Sequence, residues 1–206
     1  MPWDVALVSL QEGRELNLTE WVEAGQGLAM LREEGLVSTG HFIRAPRQRE
    51  QLAQSLRENA PSVLFLMVGT GQVASALALL NGIQQLPPTT QVAIGGSYGT
   101  LCSHEFTAHR LVDAILLGEW VEALVEFSQT VREGRAPEEI PGVWWKSPYG
   151  WKLTSRRIYT PDLMNWPDPE LEDFQGHELC RHLAWTMPIH ASRGFPFQSL
   201  FTPEPL

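Results

Sequence analysis

Apolar residues fall along this chain in short unbroken runs and in helical stripes, and the two alternate. Val5–Leu10 is an apolar run with Asp4 before it and a polar loop after it, the pattern of a buried strand. In Leu16–Glu34, residues Leu18, Trp21, Val22, Leu28 and Leu31 follow helical spacing, and Gly35 stops the helix. Val37–Ile43 reads as a weaker strand, and Arg47–Glu58 as a charged amphipathic helix that carries Leu52 and Leu56. Pro61 precedes Val63–Val68, the most hydrophobic run and the expected central strand. Gln72–Gln85 reads as a helix, with Val73, Ala76, Leu77, Leu80 and Ile83 on one face, ended by Pro87-Pro88. Gln91–Ile94 is a strand that runs into Gly95-Gly96, and Ser103–Leu111 reads as helical. Ala114–Leu117 is a fifth strand, ended by Gly118, and Val121–Arg132 is a helix with Leu124, Val125 and Val131 inside.

Five apolar strands joined by helices predict a parallel sheet covered on both faces. Right-handed crossovers then give an α/β, doubly wound, mainly parallel five-stranded sheet, Rossmann-like or flavodoxin-like. Ligands of such sheets bind beyond the carboxyl ends of the strands. That points to the loops Gln11–Gly13, Gly69–Gln72, Gly95–Gly99 and Gly118–Trp120. The pattern changes after Gly134, so the α/β domain is expected over 1–134 and a linker over 135–206. In the linker, Val143–Lys146, Ser147-Pro148-Tyr149-Gly150 and Trp151–Thr154 read as a β-hairpin with a four-residue turn. Pro161, Pro167 and Pro169 then mark an extended arm that hugs the domain surface.

Composition narrows the function classes. The 206 residues are 43% hydrophobic and 19% charged, an ordinary globular make-up that can bury a core. A net charge of −9 repels polyanions, so nucleic acid is not an expected partner. No apolar run reaches the ~18 residues of a membrane span. Met1-Pro2-Trp3-Asp4 lacks the basic-then-apolar pattern of an export signal, and the two cysteines, Cys102 and Cys180, fit a reducing compartment. A cytoplasmic location is expected.

The glycine turns carry the candidate chemistry. Gly69-Thr70-Gly71 follows the central strand and precedes a helix, where glycine permits close backbone approach and the helix N-terminus offers free N–H groups. It is neither Gly-x-Gly-x-x-Gly, since Ala74 breaks the pattern, nor a Walker loop, since no lysine follows. A tight strand-to-helix turn is the plain alternative. Gly95-Gly96-Ser97-Tyr98-Gly99 leaves room beside the backbone for something flat or bulky; the alternative is close packing of the Tyr98 ring. Gly118-Glu119 opens a helix, where Glu119 complements the dipole. His104 and His109 are five apart and do not share a helix face, and Cys180 with His182 has no second pair, so no zinc site is expected. Trp144, Trp145 and Trp151 share the hairpin; packing on the domain is the default, and one face remains for a partner protein.

Taken in order, the motifs resemble the N-terminal cobalamin-binding domain and linker of cobalamin-dependent radical SAM enzymes. The ordered set is Thr70-Gly71, an amphipathic helix, Gly95-Gly96, Leu117-Gly118-Glu119 with Glu122-Ala123-Leu124, and Ile140-Pro141-Gly142-Val143. The hairpin and Tyr159-Thr160-Pro161-Asp162-Leu163 before Pro167 complete it. Ser192-Arg193-Gly194-Phe195-Pro196-Phe197 resembles the segment through which that family enters its catalytic barrel, but Phe195, Ser199 and Thr202 stand where three cluster cysteines would. Without thiolates no [4Fe–4S] cluster is expected there, and radical SAM chemistry is not expected of this chain. Evolution or design could each have removed the three cysteines.

The resemblance implies cobalamin, base-off and with no protein ligand below cobalt, because Ser9-Leu10-Gln11-Glu12-Gly13-Arg14 lacks the histidine of other cobalamin carriers. Met67 stands where those carriers use a serine, with Thr70 the nearest substitute, which leaves haem or a bilin as alternatives. The implied contact residues are Gln11, Glu12, Gly69, Thr70, Gly71, Gln72, Gly95, Gly96, Ser97, Tyr98, Gly118, Glu119 and Trp120. Three functions fit: a non-catalytic tetrapyrrole carrier, sensor or regulatory subunit; a corrinoid methyl-transfer subunit with a separate partner enzyme; or a ligand-free interaction module that works through the Trp144–Trp151 hairpin. Gly96→Trp is expected to abolish tetrapyrrole binding without unfolding, on the premise that its loop lies outside the core.

Overall fold

A computed structural model of the chain describes residues 3–10, 18–43, 46–83, 86–157, 166–170 and 174–175. The strands are β1 (Val5–Leu10), β2 (Ser38–Ile43), β3 (Val63–Met67), β4 (Gln91–Gly95), β5 (Ala114–Leu116), β6 (Val143–Ser147), β7 (Gly150–Leu153) and β8 (Phe174–Gln175). The helices are α1 (Leu18–Glu33), α2 (Pro46–Asn59), α3 (Val73–Gly82), α4 (Ser97–Leu101), α5 (Ser103–Thr107) and α6 (Trp120–Arg132). They alternate as the apolar pattern predicts. One element differs: of the helix expected over Ser103–Leu111 only Ser103–Thr107 forms, and a separate short helix, α4, precedes it, the two meeting at Cys102, whose backbone (φ −121, ψ 34) is not helical.

The sheet has eight strands in the order β7-β6-β5-β4-β3-β1-β2-β8. Its centre is the doubly wound parallel set β2-β1-β3-β4-β5, the flavodoxin-like order. The chain turns back between β1 and β3, which makes their carboxyl ends the switch point where such folds open a crevice. Alternate residues of the strands feed two cores. Val5, Leu7, Val63, Phe65 and Met67 pack with α1 and α6 on one face. Ala6, Val8, Leu10, Leu64 and Leu66 pack with α2, α3 and Phe106 of α5 on the other. β2, the weaker strand by composition, is buried along its whole length, because β8 adds in parallel to its outer side.

The hairpin belongs to this sheet. β6 runs antiparallel to β5, and β7 to β6. Ser147 pairs with Gly150, so the loop is the two residues Pro148 and Tyr149, shorter than the four-residue turn read from the sequence. The Ser147 hydroxyl donates to the Gly150 carbonyl (2.7 Å) and accepts from the Tyr149 N–H (3.2 Å), which is how a serine closes so short a loop. The tryptophans divide between both faces. Trp144 and Trp151 meet edge-on at 5.8 Å and pack on the α2–α3 side, while Trp145 packs on the α1–α6 side.

Beyond the hairpin the arm stays on the domain. Gly142 N–H donates to the Ser155 carbonyl (2.7 Å), and Arg157 reaches both Glu126 (2.7 Å) and Glu122 (3.4 Å) on α6. Further on, Trp166 packs against the α1–α6 core, Glu170 N–H donates to the Gly25 carbonyl, and the Glu170 carboxylate pairs with Arg32.

Candidate functional site

Three glycine-bearing turns stand side by side at the carboxyl edge of the parallel strands. The β3 turn is built by a buried relay. Gly69 N–H donates to the Gln72 side-chain carbonyl (2.8 Å), and the Gln72 amide donates to Glu20 of α1 (2.6 Å). A Cβ on Gly69 would run into a Glu20 carboxylate oxygen, so glycine there makes room for this relay. Thr70 and Gly71 form the outer part of the turn and are exposed. Gly71 has φ +89 and open space where a Cβ would stand.

The β4 turn has a different physical basis. A Cβ on Gly95 would lie 2.6 Å from the Phe65 ring and 3.1 Å from the Trp120 Cβ. Gly96 has φ +92, and its Cβ would lie 2.8 Å from the Val68 carbonyl oxygen. Gly99 packs on Ile94. All three glycines answer to the chain's own atoms. The packing alternative holds in kind, but Phe65, Trp120, Val68 and Ile94 are the neighbours, not Tyr98. Tyr98 is half-buried and donates to Glu105 (3.0 Å). The Cys102 thiol first, then Glu105, raises its phenol above the ordinary tyrosine range. Ser97 is exposed. The premise that Gly96 lies outside the core fails. Gly96 is buried against backbone, so Gly96→Trp disturbs the fold itself.

The β5 turn is open again. Gly118 is exposed, with φ +74 and no heavy atom within 4 Å of a Cβ position. Thr100 ties it to the β4 turn, accepting from Gly118 N–H (2.9 Å) and donating to the Gly96 carbonyl (3.1 Å). Glu119 is the N-cap residue of α6, but its side chain does not make the capping hydrogen bond. Trp120, read from the sequence as bordering the crevice, is 3% exposed and belongs to the α1–α6 core. Its indole stacks on Phe65 at 4.7 Å.

Thus Thr70, Gly71, Ser97, Gly118 and Glu119 share the rim, whereas Gly69, Gln72, Gly95, Gly96 and Trp120 lie beneath it. Gln11 and Glu12 lie outside the described residues, as do the segment around Phe195, Ser199 and Thr202 and the residues Cys180 and His182. Sequence reasoning missed Glu20, Phe65 and Thr100, which join the turns through contacts distant in sequence. One signal was available: Gly27 sits in the middle of α1, where glycine costs stability, and its Cβ would lie 2.6 Å from the Trp120 ring. Among the described residues no group of three His, Cys, Asp or Glu side chains could hold a metal, and no helix is long and apolar enough to cross a membrane.

The geometry fits a flat ligand in one respect and resists it in another. The rim offers two open glycines and two exposed hydroxyls, which suits the face or edge of a planar ring. The interior below is packed by Phe65 and Trp120 and receives nothing while they stay.

The fold is a doubly wound α/β sandwich. No protein-family model and no curated protein matches the sequence. Solved structures do. The cobalamin-dependent S-adenosylmethionine radical enzyme OxsB, with aqua-cobalamin and S-adenosylmethionine bound, superposes with a TM-score of 0.61 at 17% identity, over 82% of this chain and 24% of that one. Its apo form gives 0.63 at 20% identity. The radical S-adenosylmethionine methyltransferase TsrM from Kitasatospora setae, with cobalamin and a [4Fe–4S] cluster bound, gives 0.55 at 16% identity, over 80% of this chain and 32% of that one. The chain therefore spans a quarter to a third of the enzymes it matches. The likeness that the motif order implied holds at the level of the fold.

Proposed function

We propose that this domain binds a tetrapyrrole, cobalamin first among them, and serves as a non-catalytic carrier, sensor or regulatory subunit. The observation that carries this reading is the open rim. Gly71 and Gly118 are held at left-handed φ at the ends of two strands of the parallel sheet, with no described residue where side chains would project. A rim of this kind admits a planar macrocycle close to backbone, with Thr70 and Ser97 hydroxyls within reach of its polar periphery. The likeness to chains solved with cobalamin favours the corrinoid within the tetrapyrrole class. When bound, a corrinoid supplies a cobalt centre; this chain's rim residues would seat the ring and shield one face from water.

The test is retention of colour. Protein mixed with hydroxocobalamin and desalted should keep a cobalamin absorption spectrum, with haem and biliverdin run in parallel. Retention of haem or biliverdin alone reassigns the rim to another tetrapyrrole. No colour with any of the three contradicts the proposal.

A second reading has its own observation. At the hairpin tip Tyr149 is 92% exposed, with the Lys152 ammonium 5.7 Å from the Trp145 ring and 5.9 Å from the Tyr149 ring, and Leu153 at the far end of β7 is 63% exposed. An exposed aromatic tip beside a cation on an edge strand suits contact with a partner protein. Loss of a partner on Tyr149→Ser, with colour retention unchanged, would separate this surface from the rim.

A further inference from the structure

We infer that Trp120 determines which tetrapyrrole this domain accepts: its indole fills the space an appended base would need, so the domain takes a corrinoid by the ring alone. The inference rests on the tetrapyrrole reading above. Cobalamin differs from cobinamide by a nucleotide loop that ends in dimethylbenzimidazole. On a ring seated over the strand ends, that base either stays on cobalt or comes away from it. A detached base is flat and largely apolar, and burial favours it only where an apolar slot of matching shape lies beside the ring.

On the α1–α6 face, the apolar interior next to the rim lies under the Gly95–Gly96 turn. It is full. Trp120 stacks on Phe65 at 4.7 Å with 29° between the rings, and both are buried. The Trp120 side chain runs from its Cβ beside Gly95 to its ring beside Gly27, and each glycine lacks a side chain where an aromatic ring lies: Phe65 2.6 Å from a Gly95 Cβ, Trp120 2.6 Å from a Gly27 Cβ. Two elements far apart in sequence thus both make room at this stack, one with a glycine in mid-helix. Interiors packed to this closeness leave no void for another ring. With Trp120 in its present place this slot is closed to a detached base, so nothing on this face favours the base-off state that the resemblance implied.

Equilibrium dialysis against aquacobinamide and hydroxocobalamin, read by visible absorption, tests this. The unaltered protein should bind both with affinities within about threefold, and bound cobalamin should show base-on bands. Trp120→Ala vacates a slot flanked by two glycines and should prefer cobalamin by about tenfold, with base-off bands. Trp120→Leu keeps more of the core and should shift in the same direction by less, with circular dichroism as the check on folding. Unaltered protein that binds cobalamin base-off, or more than about tenfold tighter than cobinamide, overturns the inference. So does a folded Trp120→Leu with unchanged preference. Unaltered protein that retains neither corrinoid overturns the tetrapyrrole reading itself, and this inference with it.

Discussion

Gly71 and Gly95 end neighbouring strands at the same edge of one sheet, yet they do opposite things. Gly95 is a packing glycine: its missing side chain is the space occupied by the Phe65 ring and the Trp120 Cβ. Gly71 is a conformational glycine: its φ of +89 needs glycine, and no described residue comes within 4 Å of where a Cβ would stand. A sequence shows both as glycine after an apolar strand. Their difference resides in what comes from elsewhere in the chain, one residue of β3 and one of α6 in the first case and nothing in the second. A glycine-rich turn is therefore an indication of a ligand site only after the chain's own claims on the space are counted.

The comparison can be sharpened, beginning with the buried side. Phe65→Ala removes the ring on which Trp120 stacks, within a core that cannot collapse around two glycines. It should cost ~3–5 kcal/mol in denaturant unfolding, and a loss under 1 kcal/mol would show the stack to be slack.

The next effect is a pH dependence within the same buried sheet. His41 on β2 is 3% exposed, its Nε2 is buried with no hydrogen-bond partner in the described residues, and Trp3 packs 5.6 Å away. Burial lowers its pKa from 6.5 to about 4. The unfolded chain therefore takes up a proton near 6.5 that the folded chain refuses until about 4. This stability is fully present above pH 6.5 and is lost as pH falls toward 4, by roughly 3 kcal/mol. Unfolding measured from pH 7 to pH 4 should show this slope, and His41→Leu should flatten it.

The smallest effect is the most discriminating one. Gly95→Ala pushes a methyl into the Phe65 ring and should lose ~1–3 kcal/mol. Gly71→Ala meets no atom and carries only the left-handed backbone penalty of ~1 kcal/mol. Equal losses in thermal melts of the two variants would dissolve the distinction.

The order of strands and helices was legible in the sequence because period and length mark them: Val63–Val68 and Gln72–Gln85 announce themselves without tertiary help. The doubly wound core followed from βαβ handedness. Less legible was the reach of the sheet. The two strands of the hairpin were readable, but their docking on β5 was not, and the two-residue β8 has too little pattern to declare itself beside β2. At the site, the three turns were legible from glycine after strand. The relay Glu20–Gln72–Gly69 was not, since Glu20 and Gln72 stand 52 residues apart. Trp120 was misplaced for a similar reason. As the first residue of a helix after a rim turn it is next to the rim in sequence, yet the helix directs its indole inward toward Gly27.

The most direct measurement is colour retention by Gly71→Trp beside the unaltered protein. Gly71 has open space around it, so the variant should stay folded by circular dichroism, and its indole should stand on the rim where the macrocycle would lie. The account predicts that unaltered protein leaves a desalting column carrying hydroxocobalamin and that Gly71→Trp leaves it colourless. A folded Gly71→Trp that still carries the colour would contradict the rim as the seat of the ligand.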